Sequence, residues 1–402
     1  MFKNKYTAVL CFLTVLAIIA LTAMVRFLPE KHEKRSSVRV GFLLDGDMAT
    51  PYTVNFLDVI DEAETVYGDS FEPVIRYNVK EDDVENPLKE LIAEKCDLIF
   101  GCSYGYEYVM KEYAADYPDI QFCMATGDLA NKEPVLENYH DFMGEIYQGR
   151  YTVGVITGMK IKEMIDEGLI TANEAKVGYV GAFPYAEVIS GYTAFILGIR
   201  SVVPEATLTV KYANTWNDYT VEREIATELI EDGCIIISQH SDTIGPAMAC
   251  ENAEKDIPIY HVGYNDSMTE VAPTSSIISC KVNYAPYILT AIDAVLSNER
   301  IEDMQDATIH QNNDTSAGFD KGWVRILDIN EVIAPKGSQE KIESIISDFK
   351  AGKLQVFKGD YTGTDPFDPT DTIDLSDGFN ENGSQSAPAF HYILDDVVTI
   401  KE

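Results

Sequence analysis

Aromatic, amide and carboxylate side chains follow several short apolar runs of the chain. Asp45, Asp47 and Tyr52 come after the run at 38–44, and Gln-His-Ser-Asp at 239–242 ends a later run. Aromatic rings stack on flat ligands, and carboxylate and amide oxygens accept hydrogen bonds from ring N–H groups or ribose hydroxyls. These residue types therefore predict a binding site for a planar heterocycle or its nucleoside.

Most of the candidate residues also have a purely structural interpretation. Asp47 and Asp242 can cap the helices that follow them, because aspartate after a strand is a common helix N-cap. Tyr52 can cover the core, and His240 can be a buried structural histidine with satisfied hydrogen bonds. The predicted ligand-binding residues are Asp47, Tyr52, Thr53, Ser103, Tyr104, Asp128, Phe183, Trp216, His240, Asp242, Asn265, Asp266 and Lys281.

The sequence lacks the common motifs of catalytic and nucleotide-binding sites. There is no G-x-S-x-G elbow, G-x-x-x-x-G-K-[ST] loop or H-E-x-x-H pair, and no G-x-G-x-x-G follows the first apolar run. His240, Ser241 and Asp242 have the residue types of a hydrolase triad, but consecutive residues on a turn rarely converge on one point. The acidic stretch 365–384 lacks EF-hand spacing, and we interpret it as a solvated loop. We expect a binding protein without catalytic residues, cofactor or metal.

Apolar runs and amphipathic stretches alternate along the chain, which is typical of parallel sheets covered by helices. The same α/β unit occurs twice, at 38–126 and at 176–283. Ligands of such sheets bind beyond the carboxyl ends of the strands. The predicted strands are 38–44, 71–79, 96–102, 120–126, 176–183, 206–213, 234–240, 257–265 and 275–283, and the predicted helices are 53–68, 87–95, 106–117, 144–167, 185–201, 220–233 and a last one ending near 298.

The repeated unit predicts two lobes with a ligand cleft between them. We expect hinges near the crossovers at 126–176 and 283–300. Residues 303–322 and 362–388 carry no clear pattern. The expected organisation is a membrane anchor or signal at 1–28, a tether at 29–37, a first lobe at 38–160 with a return segment at about 284–330, a second lobe at 161–283, and a C-terminal segment at 331–402 that packs across the lobes.

Residues 7–25 contain no charged side chain, and Lys3 and Lys5 precede them. A run of this length can span a bilayer, and the lysines place the N-terminus inside. A cleaved signal is the alternative, although cleavage after Ala23 would put Leu21 at position −3, where a small residue is preferred. We favour an uncleaved single-pass anchor with the binding domain outside the cell.

The net charge argues against one class of partner, and the cysteine spacing argues against two kinds of site. The net charge of −35 repels nucleic-acid phosphates, so we expect no nucleic-acid partner. The chain has seven cysteines and no C-x-x-C pair, which disfavours a zinc knuckle or redox motif. Cys96, Cys102, Cys123 and Cys234 lie in or beside apolar runs and are expected to be buried free thiols.

Several stretches resemble one known family in the same order along the chain. The chain is similar to the basic membrane protein family of ABC-transporter substrate-binding proteins, which includes purine nucleoside receptors, over residues 38–360. The matching stretches are DLIFGCSYGY (97–106), YPDIQFCMATGD (117–128), IYQGRYTVGVITG (146–158), KVGYVGAFPYAEVISGYTAFILGIRSVVPEA (176–206), NTWND (214–218), ISQHSD (237–242) and VGYNDSM (262–268).

The resemblance implies a periplasmic-binding-protein-like fold with two Rossmann-like lobes and a purine base, nucleoside or flavin in the cleft. It implies that Tyr52 is a first-lobe aromatic contact, that Asp128 holds the base and that Phe183 stacks on it. Asn265 stands where nucleoside receptors carry an aspartate for the ribose hydroxyls, and Lys281 lies near a lysine that faces ribose. The resemblance implies an ABC permease as the protein partner.

Three features depart from the family pattern. The loop DGDMATPYTVNF (45–56) lacks the usual glycine-rich form, residue 265 is Asn instead of Asp, and no cysteine is placed for a lipid anchor. The first two favour a free base, or another ligand, over a nucleoside, and the third favours an N-terminal helix as anchor. A membrane-anchored sensory receptor of the same fold, for a purine, flavin or other small ligand, is the alternative function. An enzyme on this fold is the least favoured.

Overall fold

The computed structural model describes residues 34–402. Within that range, no helix combines the length and the apolar character that crossing a bilayer requires. The expected anchor at 7–25 lies outside the described residues, as does the first part of the tether.

The strands of the described part of the chain are short and mostly apolar on both faces, as expected for sheets covered on both sides. In chain order they are β1 Val38–Leu43, β2 Phe71–Arg76, β3 Leu98–Gly101, β4 Gln121–Ala125, β5 Tyr139–Gly144, β6 Lys176–Gly181, β7 Thr207–Tyr212, β8 Ile236–His240, β9 Tyr260–Tyr264, β10 Ser276–Val282, β11 Thr308–Ile309, β12 Asp314–Ala317, β13 Val324–Ile326, β14 Thr362–Thr364, β15 Thr372–Asp374, β16 Ile393–Leu394 and β17 Val398–Lys401.

Helices connect most of the strands and begin or end at recognisable signals. The first helix begins at a proline and stops at Gly68, which adopts a positive φ of 51°. The helix at Tyr219–Glu231 is capped by Asp218, whose carboxylate accepts hydrogen bonds from two backbone N–H groups of the first turn. The helices are α1 Pro51–Tyr67, α2 Glu85–Ala93, α3 Glu107–Asp116, α4 Tyr147–Asp166, α5 Ala186–Arg200, α6 Tyr219–Glu231, α7 Gly245–Glu251, α8 Ala285–Ser297, α9 Ile301–Met304 and α10 Ser338–Lys350.

Two seven-stranded sheets form the centres of two lobes. The first has the order β11-β12-β5-β4-β3-β1-β2 and the second the order β13-β10-β9-β8-β6-β7-β17. The pairs β11–β12 and β10–β13 are antiparallel, and the other pairs within these sheets are parallel. The parallel α/β architecture expected from the alternating pattern is therefore confirmed.

The chain passes between the two sheets at three places that lie side by side. These are the residues after β5, the residues after β10, and the link from β12 to β13. The backbone N–H of Asn283 donates to the carbonyl of Trp323 at 2.7 Å, and that of Glu145 donates to the carbonyl of Ala317 at 2.9 Å. Three adjacent crossovers allow one lobe to rotate against the other as a hinge.

Helix α4 lies with the second sheet, although the expected first lobe extended to residue 160. It packs closely on α5, and glycines make this approach possible. A Cβ atom added at Gly154 would lie 2.2 Å from the carbonyl oxygen of Phe195, and one added at Gly198 would lie 2.3 Å from that of Tyr151. The two backbones therefore approach more closely than a larger residue would allow.

The stretch 365–384 is exposed over most of its length, as expected for a solvated acidic loop, but it is not a loop throughout. It contains strand β15, which pairs with β14 in a small antiparallel sheet that β16 completes, and the side chain of Leu375 is fully buried. Phe390 is also fully buried and stacks on Phe357 with ring centroids 4.6 Å apart. Widely spaced apolar residues provide this core, and their spacing is too irregular to show in a periodicity search.

Candidate functional site

The carboxyl ends of strands from both sheets border one cavity between the lobes. The first lobe contributes residues after β1, β3 and β4, and the second contributes residues after β7, at the end of β8, and around the end of β9. The cavity has a volume of about 20 Å³, room for about one water molecule and far below the range of small-molecule sites, so a ligand requires the lobes to separate here. We call it the inner cavity, and its lining residues are Asp45, Tyr52, Cys102, Ser103, Tyr104, Thr126, Glu187, Trp216, His240, Asp242, Tyr264 and Asn265.

Three carboxyl groups line the inner cavity: those of Asp45, Glu187 and Asp242. Burial raises the pKa of Asp45, although a hydrogen bond from the Cys102 thiol opposes the shift. Burial, together with repulsion from Asp45, raises the pKa of Asp242 well above its ordinary value. A buried carboxyl of this kind can accept a hydrogen bond and, when protonated, can also donate one.

A chain of amide hydrogen bonds crosses the cleft to Asp242. The side-chain amide of Asn55 on α1 donates to the Asn265 side-chain oxygen at 3.1 Å, and the Asn265 amide donates to Asp242 Oδ1 at 3.1 Å. Asn265 has a φ of 67°, a left-handed conformation that asparagine tolerates better than most residues. The two lobes are therefore linked directly at the ligand cavity.

Aromatic rings form the opposite wall. The Tyr52 hydroxyl donates to the carbonyl of Cys102 at 2.8 Å and lies 3.0 Å from the Tyr284 hydroxyl, which fixes the ring in place. Trp216 packs edge-on against Phe183 with centroids 5.4 Å apart, and its buried indole N–H has no hydrogen-bond partner among residues 34–402. A ligand acceptor placed near this indole would satisfy it.

His240 contacts the carboxylate of Glu187 and is neutral near pH 7. Its Nε2 lies 3.2 Å from Glu187 Oε1, and its buried Nδ1 has no partner within the described residues. Burial, and then the nearby Arg150 cation, lowers the pKa of His240 to about 4. Since neutral histidine donates from one nitrogen, Nε2–H donation to Glu187 leaves Nδ1 as an acceptor.

The structure brings seven of the sequence-predicted residues to the inner cavity and places the others elsewhere. Asp128 lies just outside it and forms an ion pair with Lys132 at 2.6 Å. The residues that line the cavity are Tyr52, Ser103, Tyr104, Trp216, His240, Asp242 and Asn265.

Five predicted residues line neither the inner cavity nor the neighbouring chamber that contains Asp128. Thr53 is fully buried in α1, and Phe183 lies behind Trp216, stacked on Tyr185. The other three make contacts of their own: Asp47 accepts from the Ala49 N–H, Asp266 accepts from the Ser267 N–H, and Lys281 pairs with Asp58 at 2.9 Å.

Five lining residues were not in the predicted set: Asp45, Cys102, Thr126, Glu187 and Tyr264. Two weak signals could have found some of them. Asp45 and Thr126 come within two residues of a strand's end, and Glu187 lies in the first turn of a helix that follows a strand. Cys102 directly follows β3 and Tyr264 is the last residue of β9, so they also lie at strand ends, but side chains of these types at a strand end are equally typical of the core.

Comparisons with known proteins also indicate a substrate-binding protein of an ABC transporter. A family model described as ABC transporter substrate-binding protein PnrA-like matches residues 38–350. A purine-binding protein of Brucella abortus is 28% identical over 80% of this chain and 83% of its own length. A protein of Haloferax volcanii named as an ABC transporter glucose-binding protein is 36% identical, over 54% of this chain and only 49% of its own length.

A solved structure shows the same fold at low sequence identity. The ABC transporter solute-binding protein of Aeropyrum pernix superposes with a TM-score of 0.62 at 15% identity, over 79% of this chain and 92% of that one. The family model covers most of the chain and matches the family expected from the sequence. Its members are solute-binding components and not enzymes. The chain therefore belongs to the PnrA-like family of ABC transporter substrate-binding proteins.

Proposed function

We propose that the protein captures a purine base or nucleoside in the cleft between the lobes, against the residues that line the inner cavity, and delivers it to an ABC permease. The observation that carries this proposal is the combination of three carboxyl groups with the rings of Tyr52, Tyr104 and Trp216 in one small cavity. The similarity to a purine-binding protein over most of both chains supports it.

The chemistry of the lining suits a flat ligand with N–H groups. The aromatic rings offer faces and edges for a planar ring system. The carboxyl groups of Asp45 and Asp242 accept from ring and amino N–H groups, and the Trp216 indole offers a donor. In the part of the chain that the structure describes, no lysine or arginine lines the inner cavity, which disfavours a phosphate or carboxylate ligand.

Transport follows from closure of the two lobes. The adjacent crossovers form the hinge, and a bound ligand stabilises the closed arrangement in which both lobes contact it. A permease would recognise this arrangement at the outer face of the membrane, with residues 7–25 as the anchor. A sensory receptor of this fold would close in the same way. Its partner would be a signalling protein in place of a permease, and finding such a partner would identify the protein as a receptor.

Thermal unfolding of the purified chain against adenine, hypoxanthine, adenosine, inosine, riboflavin and D-glucose tests the ligand. A ligand bound only by the folded state adds about 2.7 kcal/mol of stability at a hundredfold excess over its dissociation constant. We expect a purine to raise the midpoint in the wild type and Asp242→Asn to reduce the shift strongly.

Asp47→Asn is the matched control, because Asp47 is exposed and lines neither cavity nor chamber. It should keep the full shift. A shift with D-glucose and with no purine would overturn the purine proposal while leaving the family assignment intact, and would agree with the name of the Haloferax volcanii relative.

A further inference from the structure

Three potential metal ligands lie at one end of the C-terminal sheet, which consists of β14, β15 and β16. Asp365 directly follows β14, Asp371 directly precedes β15, and His391 lies two residues before β16. Because β14 is antiparallel to both of its neighbours, the end of β14 lies beside the starts of β15 and β16. The fold therefore brings one side chain from each strand to the same end of the sheet.

The C-terminal sheet lies outside the part of the chain that the family model matches. That match ends at residue 350, and β14 begins at Thr362. None of the three side chains lines the inner cavity. A site that they form is therefore distinct from the inner cavity and from the family match.

The spacing of the three side chains leaves room for an ion between them. His391 Nε2 lies 3.7 Å from Asp365 Oδ2 and 3.9 Å from Asp371 Oδ2, and one possible ligand atom from each side chain lies within 4.8 Å of the others. Both nitrogen–oxygen distances exceed hydrogen-bond length, so the imidazole does not bridge the carboxylates directly. A tetrahedral Zn²⁺ ion with bonds of about 2.1 Å holds its ligand atoms about 3.4 Å apart. Small rotations of these side chains would therefore reach that geometry.

The hydrogen bond of His391 fixes the tautomer that a metal ligand requires. Its Nδ1 lies 2.8 Å from the carbonyl oxygen of Ala389, which can only accept, so Nδ1 carries the proton of the neutral ring. The Nε2 lone pair then faces the two carboxylates. Metal-binding histidines usually donate their other ring N–H in this way.

The two carboxylates are oriented in a similar way. Asp371 Oδ1 accepts from the Tyr392 hydroxyl at 3.2 Å, and Asp365 Oδ1 accepts from the backbone N–H of Phe367 at 2.7 Å. In both aspartates the second oxygen, Oδ2, is the one that faces His391 Nε2. Outer hydrogen bonds of this kind hold carboxylate ligands in place around a metal ion.

No basic side chain balances the two carboxylates. Among residues 34–402, neither Asp365 nor Asp371 forms an ion pair with a lysine or an arginine. The Asp365 side chain is only 17% exposed, and the whole chain carries a net charge of −35. A divalent cation between the two carboxylates would reduce their mutual repulsion.

The ligand types favour a transition metal over calcium or magnesium. Ca²⁺ and Mg²⁺ prefer oxygen ligands alone, whereas imidazole nitrogen suits Zn²⁺ and similar ions. Three protein ligands would leave one tetrahedral position for water. Such a site does not need the EF-hand spacing that the sequence lacks, because its ligands come from three separate strands.

We infer that Asp365, Asp371 and His391 bind a divalent transition-metal ion of the zinc type, which ties together the ends of the three strands in the C-terminal sheet. Each of these strands has only two or three residues, so a shared ion would add substantially to the stability of the sheet. The inference goes beyond the proposed function and does not depend on the ligand in the cleft.

Isothermal titration calorimetry of ZnCl₂ into the full chain, freed of metal by a chelator and without a polyhistidine tag, tests the site. We expect one tight Zn²⁺ site per chain and much weaker binding of Ca²⁺ and Mg²⁺. In His391→Ala and in Asp371→Asn the affinity for Zn²⁺ should fall at least about tenfold. Asp377→Asn is the matched control, because Asp377 is an exposed aspartate of the same region outside the cluster, and it should keep the full affinity.

Tyr392→Phe tests whether the site is built or merely acidic. This variant keeps all three ligands and removes only the hydroxyl that orients Asp371, so the affinity should fall by about tenfold. In thermal unfolding, Zn²⁺ should raise the midpoint of the wild type and of Asp377→Asn, but not that of His391→Ala.

The outcomes decide the inference without reference to purine binding. Absence of Zn²⁺ binding, tighter binding of Ca²⁺ than of Zn²⁺, or an affinity for Zn²⁺ that is unchanged in both His391→Ala and Asp371→Asn would overturn it. Circular dichroism spectra that match the wild type establish that a variant has lost its ligand atom and not its fold.

Discussion

The guanidinium carbon of Arg150 lies 3.6 Å from the centroid of the Tyr264 ring, which lines the inner cavity. Arg150 is fully buried on α4 and donates from Nη1 to the carbonyl of Gln239 at 2.9 Å. The Arg150 cation therefore holds Tyr264 and the end of β8 in place, and Arg150 itself does not line the inner cavity.

Replacement of Arg150 should destabilise the protein markedly. Arg150→Met removes a desolvated cation–π contact and a charged hydrogen bond, and we expect a loss of about 3 kcal/mol in the free energy of unfolding. Urea denaturation followed by circular dichroism measures it. Lys162→Met, an exposed change on the same helix, should stay within about 0.5 kcal/mol, and equal effects of the two variants would contradict this account.

Ligand binding should protect the Cys102 thiol from alkylation. Burial raises the pKa of its thiol well above the ordinary value, so alkylation by iodoacetamide should be slow in the native protein. Because Cys102 lines the inner cavity, a saturating purine should slow its alkylation further, as measured by mass spectrometry of the Cys102 peptide.

Cys250 is the control for this experiment. It is also buried, but it lies outside the inner cavity, so the purine should slow its alkylation only as far as global stabilisation does. Equal protection of both thiols would show that the ligand acts through overall stability and not at Cys102.

Stability should fall as the pH rises from 4.5 towards 7, in part because of Glu381. Burial raises the pKa of Glu381 to about 7 from its ordinary value of 4.5. The folded state therefore holds a proton that the unfolded chain releases between these values, and folding weakens as the pH rises through that window before levelling off. The full effect of this shift is about 3 kcal/mol.

The variant Glu381→Gln isolates this contribution, because Gln still accepts from the Phe390 N–H that Glu381 Oε2 binds at 2.9 Å. Its unfolding free energy should decline less between pH 5 and pH 8 than that of the wild type. Glu340→Gln, an exposed change on α10, should leave the wild-type slope. A Glu381→Gln slope identical to the wild type would refute the assignment.

The contact between α4 and α5 should not tolerate a methyl group at Gly154. Gly154→Ala would place a Cβ atom 2.2 Å from the Phe195 carbonyl oxygen, so the helices must separate. We expect a loss of about 1–3 kcal/mol, the usual range for overpacking, measured by urea denaturation. Lys162→Ala should change little, and a neutral Gly154→Ala would mean that the helices can move apart freely.

Strand and helix patterns predicted most of the central elements but failed where polar residues or short elements interrupt them. Strand β5 is buried throughout but carries the polar residues His140 and Asp141, and so it lacks a continuous apolar pattern. Helix α7 has only seven residues, too few for a visible period. The C-terminal sheet is built of strands of two or three residues, which no periodicity can reveal.

The amino-acid sequence by itself determined the two α/β units, their parallel sheets, the family and a set of polar residues at strand ends, because apolar periodicity and strand-end position are local properties. Only the tertiary structure decided that Glu187 contacts His240, that Asn55 reaches Asp242 through Asn265, and that Asp365 and His391 line the neighbouring chamber that contains Asp128. Those contacts depend on how two sheets and a distant segment pack. The neighbours of a residue in the sequence do not indicate which polar groups its side chain will contact.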